Sequence, residues 1–254
     1  MTTLRRHGWI PDLPDHRDHA YVRPAGLSAT LPASVDLRSR CPPVLDQLSG
    51  KTCTANAIAN AHLFDQLQQR VPVPALPSRL FIYWNERVAL GLQASDSGAT
   101  IRGGIKSIAR IGACPETQWP YAVQQILVQP PEACFQSATQ HRALSYRRIH
   151  RDIDLFRACL AEGWPFVFGF SVYKSFYLPE VLDSGDVRMP QRGEALDGGH
   201  AVLAVGYDSA AQTFLLLNSF GTSWGRQGFG TIPFDYLTHT HLSEDFWTVR
   251  SVAG

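Results

Sequence analysis

Long apolar runs and clusters of like charge are both missing from this sequence of 254 residues. No stretch approaches the roughly 20 apolar residues that a membrane-spanning helix needs. The 23 lysines and arginines balance 22 aspartates and glutamates, so no basic patch favours nucleic acid or an anionic membrane surface. Hydrophobic residues make up 44% of the chain and charged residues 18%, which allows a large buried core. These proportions exclude a disordered, collagen-like or disulfide-scaffold protein.

Paired cysteines are missing as well. An odd number of widely spaced cysteines, with no CxxC pair, predicts neither a full disulfide framework nor a zinc site. His239 and His241 could suggest a metal pair, but no matching ligands accompany them, so we predict no metal and no other cofactor. At least one thiol is therefore free, either as buried filler or as a nucleophile. The five cysteines are Cys41, Cys53, Cys114, Cys134 and Cys159.

The chain is helical first and strand-like later. Apolar periodicity predicts an amphipathic helix over residues 53–70, a second helix over 79–90 after the N-cap Ser78, and a third over 101–111 closed by Gly112. Runs rich in Val, Phe and Tyr predict strands in the second half. Segregated elements of this kind predict an α+β fold with two lobes. The predicted strands cover residues 165–173, 199–207, 213–219 and 245–252.

Cys53 stands at the start of the first predicted helix, behind a turn-forming stretch. The amide groups and positive end of a helix N-terminus favour a thiolate, so Cys53 is either a nucleophile or a thiol buried at a helix start. A nucleophile needs a base, and His200 opens an apolar strand. A hairpin centred on residue 209 would place Asn218 opposite His200, where its side chain could fix the imidazole tautomer. Gln47, six residues before Cys53, is either a solvated loop residue or an oxyanion donor.

These residues together resemble the papain-like cysteine peptidases, most closely their short bacterial members. LPASVDLRSRCPPVLDQ resembles the start of the family's mature domain, GGHAVLAVGYD its histidine segment, and NSFGTSWG its asparagine segment. The resemblance implies that Cys53 is the nucleophile, His200 the base, Asn218 the orienting residue and Gln47 the oxyanion donor. It also implies a helical lobe, an antiparallel β-barrel-like lobe and an active-site groove between them.

The resemblance assigns a peptidase domain to residues 31–254. Its helical lobe would cover about 42–120, and its β lobe about 121–254 together with 31–41. Residues 1–30 would form an extended segment, in the manner of a pro-segment.

The sequence departs from the family pattern around the nucleophile. Gly50 and Lys51 replace a cysteine and a glycine, so the family's disulfide at this point cannot form, and Thr54 replaces a tryptophan. Phe220 replaces the tryptophan beside the asparagine, whereas Trp224 matches. None of these changes removes a catalytic group. Phe220 can still shield the histidine–asparagine pair from water.

Substrate contacts are also implied by the resemblance. Gly98 and Ala99 fall where the family holds the substrate backbone with two glycines. Ala201 and Gly169 would line the main specificity pocket, although small residues also permit tight strand packing. We predict a monomer that acts on peptides or proteins through a thioester acyl-enzyme. The alternatives are an amidase or acyltransferase with the same chemistry, and a peptide-binding effector module that does not cleave.

Residues 1–30 are rich in Pro, Asp, His and Arg and show little periodicity. No apolar stretch of a secretory signal stands among them, so we expect a cytoplasmic protein. The segment nevertheless contains four apolar residues that could anchor it to the folded body, which is more than an unattached tail would need. They are Trp9, Ile10, Leu13 and Tyr21. The segment is therefore expected to lie on the folded body. It would either cover the groove partly or form a strap on the β lobe away from the site.

Overall fold

The computed structural model describes residues 6–27 and 30–252, in which helices precede most of the strands. The helices α1 to α7 span Cys53–Gln68, Arg79–Leu90, Ile101–Arg110, Glu132–Ala138, Ile153–Ala161, Pro179–Ser184 and Phe234–Thr238. The strands β1 to β7 span Ser34–Asp36, Ala143–Arg148, Phe166–Tyr173, Leu196–Asp208, Thr213–Leu217, Phe229–Pro233 and Ser243–Val252. The α+β prediction is confirmed.

The strands form one antiparallel sheet in the order β2-β7-β3-β4-β5-β6, with β1 paired to β4. Over the described residues β2 and β6 are not paired, so the sheet of the barrel-like lobe is open. The N-terminal segment covers one edge instead. Ala20 pairs with Arg148 of β2, and the amide of Tyr21 donates to the Arg148 carbonyl at 2.7 Å. A covered edge leaves fewer unpaired backbone groups at that side of the sheet.

Helix α1 lies in the interior of the molecule. Every residue from Cys53 to Gln66 is buried, so the expected amphipathic helix is wrong in one respect: it has no solvent face over these residues. The cause is packing on several sides, because α2, α3, β4 and β7 all contact α1. Its polar residues find internal partners. Asn56, for example, donates to the carbonyl of Thr52 at 2.8 Å.

The caps of the next two helices follow the expected chemistry, with one exception. The Ser78 hydroxyl accepts from the amide of Phe81 at 3.2 Å, as an N-cap does. Helix α3 ends at Arg110 with Ile111 as its C-cap, so Gly112 is not the cap. Gly112 lies one residue further on, at φ +89, where a Cβ would stand 1.8 Å from the carbonyl oxygen of Ala138.

The register of the β4–β5 hairpin also differs from the expectation. Asp208 pairs with Thr213 and Leu203 with Leu217, with a bulge between Ala204 and Gly206. Facing residues are therefore shifted by two to three positions from the expected register, and the hairpin is centred near residue 210 instead of 209. The shift is three positions at Asp208 and Thr213, next to the loop, and the bulge reduces it to two at Leu203 and Leu217.

The bounds of the two lobes stay a prediction. No helix in the described part of the chain is long and apolar enough to cross a membrane. All five cysteines carry free thiols.

Candidate active site

Cys53 begins α1 and is completely buried. Burial raises the pKa of the Cys53 thiol to about 11, although hydrogen bonds from the backbone amides of Ala201, Gly8 and Thr54 act to lower it. In this arrangement the nucleophile candidate is a protonated thiol.

His200 lies in β4, opposite Phe170 of β3, and is also completely buried. Its Nε2 lies 2.8 Å from Oδ1 of Asn218, just beyond β5. Because the Ser219 amide donates to the same Oδ1 at 2.8 Å, that oxygen is the acceptor and Nε2 carries the hydrogen. Nδ1 has no hydrogen-bond partner in the described residues, so it is free to accept a proton. His200 and Asn218 therefore meet as the resemblance implies, despite the shifted register.

Burial lowers the pKa of His200 to about 3, with a further lowering from His7. The Phe220 ring lies 4.8 Å from the imidazole, centroid to centroid, and is itself buried. It occupies the shielding position expected for it. Trp224 does not cover His200 directly. It stacks on Phe176 at 6.1 Å, and Phe176 in turn contacts His200.

Gln47 is fully buried beside these groups. Its Nε2 donates to the carbonyls of Gly50 and Arg6, both at 2.9 Å. Its Oε1 accepts from the Ser219 hydroxyl at 2.7 Å, which fixes the orientation of the amide. Ser219 thus positions both Gln47 and Asn218. Sequence reasoning passed over it, although it directly follows Asn218.

Residues 6–10, which we call the plug, pass directly over this site. The amide of Ala99 donates to the Gly8 carbonyl at 2.7 Å, and the amide of Ile10 donates to the Ala99 carbonyl at 2.9 Å. Ala99 thus binds an extended backbone, which here belongs to the chain itself. Gly98 packs against the same segment, since a Cβ there would stand 2.3 Å from the Gly8 carbonyl oxygen.

The Trp9 side chain fills a pocket between strands. A Cβ on Gly169 would stand 2.0 Å from the Trp9 ring, and one on Gly199 would stand 2.7 Å from it. The indole Nε1 donates to Oδ2 of Asp245 at 3.0 Å. Gly169 therefore lines a pocket. Ala201, its partner across the strands, presents its amide to Cys53.

His7 occupies the other side of the site. Its ring lies 5.3 Å from that of His200, and its Nε2 contacts the Tyr177 hydroxyl. Asp197 lies 3.7 Å from the same nitrogen. Burial lowers the pKa of His7 to about 4, although Asp197 works against the shift. Sequence reasoning did not single out Tyr177 or Asp245, because nothing in their neighbourhoods marks them.

After residue 10 the N-terminal segment forms a strap away from the site. Both expected placements of the segment therefore occur together: residues 6–10 cover the active site, and the residues that follow form the strap. Asp18 accepts from Arg102 at 2.6 Å and from Arg148 at 3.1 Å, and lies 3.3 Å from Lys106. Burial alone would raise the pKa of Asp18, but these cations outweigh it and lower it. The Tyr21 hydroxyl contacts the Glu162 carboxylate.

His239 and His241 are neighbours, 5.8 Å apart between ring centroids. Among the residues that the structure describes, no group of three or more His, Cys, Asp or Glu side chains could hold a metal ion.

Comparisons with known proteins agree with this geometry. The papain family cysteine protease profile matches residues 93–245. A peptidase C1-like protein of Acanthamoeba polyphaga mimivirus is 36% identical over 99% of this chain and 88% of its own length. Xylellain, a cysteine protease from Xylella fastidiosa, superposes with a TM-score of 0.91 at 39% identity, over 98% of this chain and 99% of that one.

A proCathepsin B of Trypanosoma congolense shares the fold, with a TM-score of 0.73 at 17% identity over 96% of this chain and 85% of its own. The matched profile covers His200 and Asn218 but begins after Gln47 and Cys53. The two closer relatives cover nearly the whole chain. With its antiparallel sheet, its central helix and these relatives, the chain belongs to the papain family of cysteine proteases.

Proposed function

We propose that this cysteine protease hydrolyses peptide bonds with Cys53 as nucleophile, His200 as base, Asn218 as orienting residue and Gln47 as oxyanion donor. The observation that carries the assignment is the 2.8 Å contact between His200 Nε2 and Asn218 Oδ1, which leaves Nδ1 as the proton acceptor. The thiolate attacks the peptide carbonyl carbon, and the π electrons move to the oxygen. Nε2 of Gln47 and the Cys53 amide stabilise that oxyanion.

The protonated His200 then gives its proton to the leaving amine as the C–N bond breaks. Water, deprotonated by the same imidazole, attacks the thioester carbon, and cleavage of the C–S bond releases the acid and restores the thiolate–imidazolium pair. A peptide or protein substrate fits this site, because Ala99 already pairs with an extended backbone.

We further propose that the plug holds the enzyme in a latent state. It places the Arg6 carbonyl on the Gln47 donor and the Gly8 amide against the thiol. The buried thiol and imidazole also stay neutral, with the pKa of the thiol raised and that of the imidazole lowered. Entry of water on plug release would permit the thiolate–imidazolium pair.

The test measures hydrolysis of fluorogenic peptides and of casein by the full chain at pH 6, and iodoacetamide alkylation of Cys53. An unperturbed thiol barely reacts at this pH, whereas a depressed one does. We expect slow turnover and slow alkylation in the wild type, both faster when the plug is displaced, and no turnover in Cys53→Ala.

Turnover by Cys53→Ala would refute the nucleophile. Alkylation of Cys53 without turnover would favour the binding module. Products carrying an added amine instead of water would favour the acyltransferase.

A further inference from the structure

The pocket filled by Trp9 has an unusual floor. Asp245 is completely buried there, and its Oδ2 accepts two hydrogen bonds: one from the Trp9 indole at 3.0 Å and one from the Asp12 amide at 2.8 Å. Both donors belong to the N-terminal segment. When the plug leaves, Oδ2 loses the indole N–H, whether or not Asp12 stays in place. A buried carboxylate oxygen that loses a donor is costly unless a new donor reaches it.

The walls of the pocket fix the size of what can enter. Gly169 and Gly199 lie so close to the Trp9 ring that neither position tolerates a Cβ while the ring is present. A flat bicyclic side chain therefore fills the space, and a smaller one leaves part of it empty.

The charge beside the floor restricts the donor as well. Arg148 lies 3.4 Å from Oδ1 of Asp245. A second guanidinium or ammonium group would meet Arg148 at close range. A neutral donor meets no such repulsion.

We propose that, once the plug is displaced, this pocket selects substrates that carry tryptophan, a neutral bicyclic side chain with one N–H donor. This inference rests on the proposed function, since it names the substrates of the same site. Phenylalanine fills less of the pocket and leaves Oδ2 without a donor, and arginine brings a charge towards Arg148. Asp245 is thus a specificity-determining residue.

The experiment uses the full chain and tripeptide coumarin amides of alanine, in which one residue is tryptophan, 2-naphthylalanine, phenylalanine or arginine. Naphthylalanine matches the size of tryptophan but lacks the N–H donor. Each residue is placed in turn at each of the three positions. The ratio of kcat/KM for two peptides is independent of the fraction of molecules with the plug displaced, so latency does not obscure it.

At pH 8, where Asp245 is ionised because its pKa is raised only to about 7, we expect tryptophan at one position to exceed naphthylalanine by about tenfold or more, as a hydrogen bond to a charged group implies. Asp245→Asn should lower that ratio, since its amide can turn an N–H towards the ring. Asp12→Asn is the matched control: it alters the strap next to Asp245, and the ratio should persist.

Equal rates for tryptophan and naphthylalanine at all three positions would overturn the proposal even if Asp245→Asn fails to fold. An unchanged ratio in a folded Asp245→Asn would also overturn it, as would arginine exceeding tryptophan. Cleavage of all the peptides at equal rates would overturn the proposed selectivity for tryptophan but leave the proposed peptidase activity standing. A Cβ at residue 8 would stand 1.9 Å from the Lys51 carbonyl oxygen, so Gly8→Ala should displace the plug. If no peptide is cleaved even by that variant, the proposed function fails as well.

Discussion

Gly8 leaves no room for a side chain against Lys51. A Cβ at residue 8 would stand 1.9 Å from the carbonyl oxygen of Lys51, and the Gly8 carbonyl already crowds Gly98 on the other side. Both neighbours are backbone, which cannot turn aside as a flexible side chain does. The plug can therefore cross the site in this position only with glycine over Cys53.

Gly8→Ala should consequently displace the plug and activate the enzyme. Overlap of this size costs on the order of 1–3 kcal/mol, which shifts the equilibrium towards the open form by about fivefold to 150-fold. The measurement is kcat/KM on a fluorogenic peptide, and a rise within that range is expected.

Gly26→Ala serves as the matched control. It lies in the same N-terminal segment, and nothing stands within 4 Å of the Cβ that it would add. It should leave kcat/KM unchanged. If Gly8→Ala behaves like Gly26→Ala, the plug does not govern access to Cys53.

The three groups of the proposed mechanism should differ in what their removal costs. Cys53→Ala and His200→Ala should each lower kcat by about 10⁴-fold or more, because residues that act as a unit fail together. Asn218→Ala should be milder, about a hundredfold, since it removes the orientation of the imidazole but leaves its proton transfer. Kinetics of all three in the Gly8→Ala background would rank them. A loss in Asn218→Ala as large as that in His200→Ala would contradict the orienting role.

Gln47→Ala should lower kcat by about 10²- to 10³-fold with little change in KM, because an oxyanion donor acts in the transition state. Ser219→Ala removes the hydroxyl that holds the Gln47 amide at 2.7 Å, so a smaller loss of the same kind is expected. A change confined to KM in either variant would argue for a ground-state contact instead.

Much of the site was accessible from sequence because its groups stand in recognisable local patterns. Cys53 begins a helix, His200 lies in an apolar strand, and Asn218 follows the next strand. His200 and Asn218 contact each other although the predicted hairpin register was wrong, because the two side chains meet beyond the end of β5.

The pocket for Trp9 was not predictable in the same way. Gly169 comes from β3, Gly199 from β4 and Asp245 from β7, so the pocket exists only after three strands pair. Of the four anchors expected in residues 1–30, Trp9 and Tyr21 are buried and dock the segment, whereas Leu13 is exposed, so its expected anchoring is wrong. The place at which the segment docks depends on that tertiary pairing. The solvent-free α1 has the same origin, because helices and strands distant in sequence cover it.

The last prediction concerns the pH dependence of plug release. The plug buries His7 in its neutral form, which lowers the pKa of His7 to about 4, whereas a free histidine titrates near 6.5. Between these values the released form binds a proton that the buried form does not. Falling pH therefore favours release, by about twentyfold between pH 7 and 5.

The measurement compares iodoacetamide alkylation of Cys53 in the wild type and in His7→Gln across this range. Asp245 acts in the opposite direction. Burial in the plugged form raises the pKa of Asp245 to about 7, and neighbouring Asp12 adds to the rise. Falling pH therefore favours the plugged form through Asp245. Asp245 is present in both proteins, so its effect cancels in the ratio of rates. His16→Gln, at an exposed position of the same segment, is the control and should follow the wild type. A wild-type to His7→Gln ratio that stays flat from pH 7 to 5 would show that protonation of His7 does not drive release.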